Sequence, residues 1–385
     1  MSELFPILIP SIFLLFFSDA FSTYNHVSKR YERKDKVFFY ILALSVAIFV
    51  GLRIAFNDTL TYIESYNVFI PKNDSILDDC LSKTGRIQWL SLGSNPGFTF
   101  VQNIMYHLGF TSQDFLMAFA LFSVVTYFWF IHKYTEDIFF SVYMFFTIGI
   151  FVSTMAAIKQ NFAVALGLIA IDRYLCGKKG AFFSLIIFAS LFHPYILMFL
   201  FIPFLFFTPW ERKTYIVIGA FVGIGLTLQL LIGRIIDITT ILGEDYTAES
   251  FIGEGVNPLR VLVFLVPLAV SFLVRKNVPP EFYDRNTALF VNLSMINGML
   301  MFVALFGNAI YFGRLAQYFS LFSVLALPSV LKYMDERTRN LIKIIAIVLY
   351  CIFFVYELLH GYGVRTFNDM FSRMKFFDYI ETHIS

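Results

Sequence analysis

Apolar runs long enough to cross a bilayer follow one another along nearly the whole chain, and no other feature constrains the fold as tightly. A hydrocarbon core of about 30 Å needs about 20 helical residues. Runs of that order lie near 4–20, 37–52, 112–131, 138–155, 160–175, 214–233, 259–274, 287–307, 312–331 and 341–357. Lys and Arg fall in short bunches between them, and no stretch is left for a separate soluble domain. Charged residues are 15% of the chain, whereas soluble domains carry about 25%. The expectation is an all-α polytopic integral membrane protein whose residues 1–385 form a single transmembrane domain.

The stretch 181–207 decides the parity, being too long for one upright span and short for two. Arg212, Lys213, Arg275, Lys276, Arg285, Lys332, Arg337, Arg339 and Lys343 occupy alternate loops beyond it, and they fall on the inner side only if this stretch crosses twice. Lys29 to Lys36, Lys133, and Lys178 with Lys179 agree with the same orientation. Proline disfavours helix at the residue before it and has no N–H to donate. Two short half-spans are therefore expected to meet at His193-Pro194, giving about twelve transmembrane segments. The outer-face segments are then 53–111, 234–258 and 358–385. The N-terminal MSELF lacks the positive region of a secretory signal, so the first run is expected to persist as a helix.

Cys80, Cys176 and Cys351 match no metal-ligand or disulfide pattern, and HExxH, GxSxG and P-loop motifs do not occur. A net charge of +2 without a basic stripe argues against a nucleic-acid surface. What stands out instead are polar residues at the outer ends of helices: Arg53, Asp58, Lys159, Gln160, His193, Arg260 and Arg314. A charge at a helix centre costs roughly 2.5–3.5 kcal/mol, less where it lines a water-filled cavity. Each residue also has a plainer reading. Arg53 could be a snorkelling anchor, Asp58 a helix cap, and His193 a core histidine bonded to a carbonyl. Lys159 interrupts a long apolar stretch, and Arg260 and Arg314 sit at helix starts, where the dipole disfavours a cation and an anionic ligand would answer the charge. Together they suit a diphosphate.

Read in order, these residues resemble the EpsG family of polysaccharide-biosynthesis membrane proteins, relatives of the Wzy O-antigen polymerases. The carriers are Gly51-Leu52-Arg53 with Asp58 and Tyr62, then Asn95-Pro96-Gly97-Phe98, then Ile158-Lys159-Gln160-Asn161-Phe162-Ala163, then Leu191-Phe192-His193-Pro194, and finally Gly313-Arg314 with Tyr318-Phe319. Three departures stand out. Ala55-Phe56-Asn57-Asp58 replaces the family's Val-Gly before Thr-Asp, Asn95 stands where Glu is usual, and Lys159-Gln160 replaces Arg-Gln. The last keeps the charge but loses the bidentate fork.

The resemblance implies a GT-C-like helical bundle in the bacterial inner membrane. Its activity would be that of a polymerase joining undecaprenyl-diphosphate-linked repeat units at the outer face, with no cofactor or metal. Donor and acceptor would both be undecaprenyl-diphosphate-linked oligosaccharides, with membrane lipid and a chain-length regulator protein as further partners. Arg53, Lys159, Gln160, Arg260 and Arg314 would bind diphosphate. His193 is the first candidate for general base and Asp58 the second, and Tyr62, Phe98 and Tyr318 are candidate sugar contacts. Tyr66 and Trp89 could also stack on sugars, although interfacial anchoring explains outer aromatics equally well. The alternatives are a flippase or other transporter of lipid-linked oligosaccharide, and an O-antigen ligase-type transferase. A transporter built on inverted repeats would carry a second broken helix like His193-Pro194, and the sequence has none.

Overall fold

The computed structural model describes residues 22–25, 30–33, 36–53, 56–69, 95–241, 255–276, 278, 283–357 and 359. The apolar run 4–20, Trp89, residues 242–254 of the acidic loop, and the tail apart from residue 359 lie outside the described residues. One hairpin, β1 (Ser22–Asn25) with β2 (Arg30–Arg33), pairs antiparallel with Ser22 opposite Arg33. Every other described element is helical.

The helices are α1 (Lys36–Gly51), α2 (Thr59–Glu64) running into a π turn (Ser65–Phe69), α3 (Pro96–His107), α4 (Ser112–Tyr134), α5 (Ile138–Thr147), α6 (Ile150–Ala156), α7 (Ile158–Leu175) and α8 (Lys179–Ser190). A 3₁₀ helix (Pro194–Leu205) follows, then α9 (Arg212–Ile241), α10 (Pro258–Val274), α11 (Arg285–Val303), α12 (Ala309–Gln317), α13 (Ser320–Leu331) and α14 (Glu336–Tyr356). Four helices are individually long and apolar enough to cross a membrane, and six spans result if the bent pairs α5/α6 and α12/α13 each count as one. The expected twelve needs the shorter apolar helices counted as crossings, together with the run 4–20.

Short polar residues set the helix starts. Thr111 accepts from the Asp114 amide while Asp114 returns a bond to the Thr111 amide, and Asp137, Asp284 and Asp335 each accept from the amide three residues on. Each cap satisfies a donor that the first helical turn leaves over. α11 and α4 form the interior, 78% and 67% buried over their apolar windows, whereas α9 and α14 are only 17% buried. Leu226, Leu230, Ile344 and Ile352 on those outer helices are exposed. In a protein with this composition such a surface faces lipid.

Three breaks interrupt the apolar segments. α5 and α6 meet at Gly149 with φ 91° and a bend of 49°, a backbone state that glycine adopts without steric cost. α12 and α13 meet at Tyr318–Phe319 with a bend of 50°, where the amides of Tyr318 and Phe319 bond three residues back instead of four. The third break is at His193, whose backbone is extended (φ −158°, ψ 111°) before Pro194 opens the 3₁₀ helix. At about 2.0 Å per residue a 3₁₀ segment reaches further than an α-helix of equal length. Its last carbonyls would otherwise be stranded, and the Asn292 side chain donates to both Leu205 O (2.8 Å) and Phe207 O (2.7 Å).

The His193 break is held from outside by α3. The Gly97 amide donates to Leu191 O at 2.8 Å, and a Cβ on Gly97 would lie 2.9 Å from Leu191 Cβ and 3.1 Å from its carbonyl oxygen. Two of the motifs picked out in the sequence are therefore one contact, possible only while Gly97 lacks a side chain. Gly97→Ala should cost about 1–3 kcal/mol through overpacking, read as a fall in melting temperature in detergent. Gly219→Ala, where nothing lies within 4 Å of the added carbon, should not lower it. Equal melting of the two variants would show that the close approach is dispensable.

Candidate functional site

One end of the bundle collects the C-terminus of α1, the segment around α2, the N-termini of α3 and α7, the His193 break, and α12. Arg53, just past α1, is buried. Its Nε donates to Thr59 Oγ1 at 3.1 Å and its Nη1 to Val50 O at 2.5 Å, while Gln113 donates to the backbone of Gly51. These bonds fix the guanidinium without neutralising it: among the described residues no carboxylate forms an ion pair with Arg53. A buried charge lacking a counterion is costly.

α7 supplies three consecutive polar residues with different tasks. The Lys159 ammonium lies over the rings of Phe98 (4.7 Å) and Tyr62 (5.5 Å) and is near enough to Asp58 for their charges to attract. Gln160 donates to Arg314 O at 3.0 Å and reaches Gln317 Oε1 at 3.5 Å, which joins α7 to α12. Asn161 donates to Ser153 O (2.7 Å) and Ala157 O (2.8 Å) and accepts from Tyr127 Oη (2.8 Å), closing the frayed end of α6. Phe162 then packs on Phe192 at 4.6 Å between centroids, anchoring the residue next to His193.

Arg314 lies in the last turn of α12, where the helix dipole favours a cation, and not at a helix start as expected; it is half exposed, and its Nη2 lies 3.8 Å from Asp58 Oδ2. Asp58 stands before α2 without making a side-chain cap bond and is also partly exposed, so both groups of this loose pair can be reached from outside. His193 lies near the charges of Lys159 and Arg314, and its Nδ1 is hydrogen bonded to the Tyr318 hydroxyl. Tyr62 is within electrostatic range of Asp58, Arg314 and Arg53. The structure thus brings together Arg53, Asp58, Tyr62, Lys159, Gln160, His193 and Arg314. Among the described residues three cations face one carboxylate, a surplus of positive charge suited to a multiply charged anion.

Arg260 stands apart. Its guanidinium makes a two-pronged ion pair with Glu357 at the end of α14. Both line a narrow cleft enclosing about 700 Å3, its open mouth included, with Tyr127, Ser153, Asn161 and Gln317 on the walls. Phe98 and Tyr318 are both buried, which puts them behind the site as supports for Lys159 and His193, while Tyr62 stays partly accessible. Sequence reasoning missed Thr59, Gln113, Gln317 and Glu357. Only Glu357, an acid closing an apolar run, offered a signal there.

A polytopic helical membrane protein with an anion-attracting cluster at one end of its bundle is the class that this fold and site define. The chain matches the family model "EpsG family" over residues 36–375. It belongs to the EpsG family, the family of Wzy-like polysaccharide polymerases. It matches no curated protein and no solved structure.

The Arg260–Glu357 pair can be weighed by a double-mutant cycle on thermal unfolding with Arg260→Met, Glu357→Gln and the double variant. A coupling energy of at least about 0.5 kcal/mol is expected for directly bonded partners. Strict additivity would show that Arg260 is free to bind elsewhere.

Proposed function

We propose that the chain is a polysaccharide polymerase that transfers a growing glycan from one undecaprenyl-diphosphate carrier to the next lipid-linked repeat unit, at the outer face of the bacterial cytoplasmic membrane. In this reading about twelve segments cross the bilayer in a GT-C-like bundle, with segments 53–111, 234–258 and 358–385 outside. The cationic cluster opens away from the cytoplasm, as the distribution of Lys and Arg among the loops suggests. The observation that carries the proposal is the grouping of Arg53, Lys159 and Arg314 near the carboxylate of Asp58, with Arg53 and Lys159 in no ion pair among the described residues.

The chemistry required is modest. A glycosyl diphosphate already has a competent leaving group, so the protein must align two lipid-linked substrates and stabilise the charge that grows on the departing diphosphate. It must also receive the proton of the attacking hydroxyl. Arg314, half exposed, supplies a planar fork for phosphate oxygens and Lys159 a point charge, while the buried Arg53, bonded to Thr59 and Val50, adds positive potential from behind them. Gln160, by holding the Arg314 backbone, positions that arginine on α12. His193 and Asp58 are the two groups at hand for the proton. Arg260, committed to Glu357, takes a supporting place beside this set, and a chain-length regulator protein is a further expected partner.

Arg53→Ala, Lys159→Ala and Arg314→Ala, expressed at equal levels, should each lower polymer on an envelope polysaccharide gel by about 10²-fold, the scale of losing one transition-state donor. Lys159→Arg, which restores a fork at the same position, should keep most of it. Single repeat units should then accumulate outside the cell. Units held on the inner leaflet would indicate a flippase, and polymer lost only from the final acceptor molecule would indicate a ligase-type transferase. Undiminished long polymer in all three alanine variants would remove the assignment.

A further inference from the structure

The buried contact between Tyr318 and His193 bears on which group takes the proton. Tyr318 lies in the break between α12 and α13 and is fully buried. Its hydroxyl meets His193 Nδ1, and among the described residues it has no other hydrogen-bond partner. A phenol is protonated at neutral pH, with a pKa of about 10, and a buried O–H left without an acceptor is costly. Nδ1 is the acceptor this hydroxyl finds. An imidazole that accepts through Nδ1 is neutral and carries its proton on Nε2. Both nitrogens are then committed: one lone pair is occupied by Tyr318, and the other nitrogen already bears hydrogen. Such a ring can donate a hydrogen bond from Nε2 but cannot receive a proton from a substrate hydroxyl.

Asp58 is the opposite case. Its carboxylate is partly exposed, caps no helix and, among the described residues, is paired only loosely, with Arg314, so its oxygens are open to an incoming donor. Resting on the polymerase reading above, we infer that Tyr318 holds His193 as the Nε2–H tautomer, a donor to the diphosphate or sugar oxygens, and that Asp58 is the general base. The acceptor hydroxyl oxygen bonds to the anomeric carbon of the donor. The bond from that carbon to the diphosphate oxygen breaks with its electron pair going to the diphosphate, and the hydroxyl proton passes to Asp58 and then to water. Once Asp58 is protonated its hold on Arg314 weakens, and the guanidinium is released toward the oxygen that has just become charged. Tyr318 is a positioning residue in this scheme, acting through His193.

The test uses the full chain in native membranes with the cell's own lipid-linked repeat units. Glutamine can present an N–H where Nε2 stood, so His193→Gln should lose about tenfold or less, while His193→Ala and Asp58→Asn lose about 10²-fold or more. His193→Gln as inactive as His193→Ala, together with an active Asp58→Asn, would overturn the inference and leave the polymerase reading standing. Wild-type polymer from every variant would overturn the reading itself. Should both His193→Gln and Asp58→Asn be inactive, 15N NMR of histidine-labelled protein decides. The His193 signals, identified by their loss in His193→Gln, should show an unprotonated Nδ1 and a protonated Nε2, and Tyr318→Phe should shift that balance. A protonated Nδ1 in the unmutated chain would sink the proposal.

Discussion

A cation sealed away from water, with no acid among the described residues paired to it, is the condition around which this end of the molecule is organised. Arg53 is fixed by a carbonyl and a hydroxyl, groups that orient a guanidinium but leave its charge uncancelled. Lys159 rests on two aromatic faces, an environment that tolerates an ammonium at modest gain. The one carboxylate near them among the described residues, that of Asp58, is shared loosely with Arg314. Burial of this kind persists only if the surroundings over-determine it, and here they do. Gln113 holds the chain beside Arg53, Gln160 holds the chain at Arg314, and the Phe162–Phe192 packing holds the turn that carries His193.

The breaks in the helices serve the same end. An unbroken α-helix uses nearly all its backbone groups internally, so it can offer a ligand only side chains. At Ala157, His193 and Tyr318 the chain departs from that rule, and the freed backbone groups are met locally by Asn161, by Gly97 and by short bonds three residues back. α3 has a double part in this, since its first turn clasps Leu191 while Phe98 carries the lysine ring contact.

Much of this was legible beforehand, for reasons that differ from residue to residue. Charges inside apolar runs stand out against their background, so Arg53, Lys159, Arg260 and Arg314 were found without coordinates. The break at His193 followed from Pro194. Pairing was not legible: Arg260 meets an acid 97 positions away, and nothing local in the sequence distinguishes a cation awaiting a ligand from one already matched. The bends at Gly149 and Tyr318 were read as parts of continuous spans, because an apolar run looks alike whether its backbone is straight or broken. The 3₁₀ geometry of Pro194–Leu205 was hidden for the same reason. Thr59 and Gln317 were missed because uncharged polar residues near helix ends are ordinary.

The far end of the bundle is built differently. Lys332 bridges Glu136 and Asp284, Lys343 pairs with Asp137, and the buried Asp172 gathers Lys133, Arg173 and the Tyr134 hydroxyl. Two of these ties join residues about 200 positions apart, 196 for Lys332 with Glu136 and 206 for Lys343 with Asp137. They pin the first half of the chain to the last. Among the described residues five ion pairs lace this rim, whereas two, Arg260–Glu357 and Arg314–Asp58, tie the other. Any movement of the first half of the chain against the last is therefore hinged, like a clothes-peg, at the more heavily ion-paired rim and widest at the rim where Lys159 and Arg314 lie.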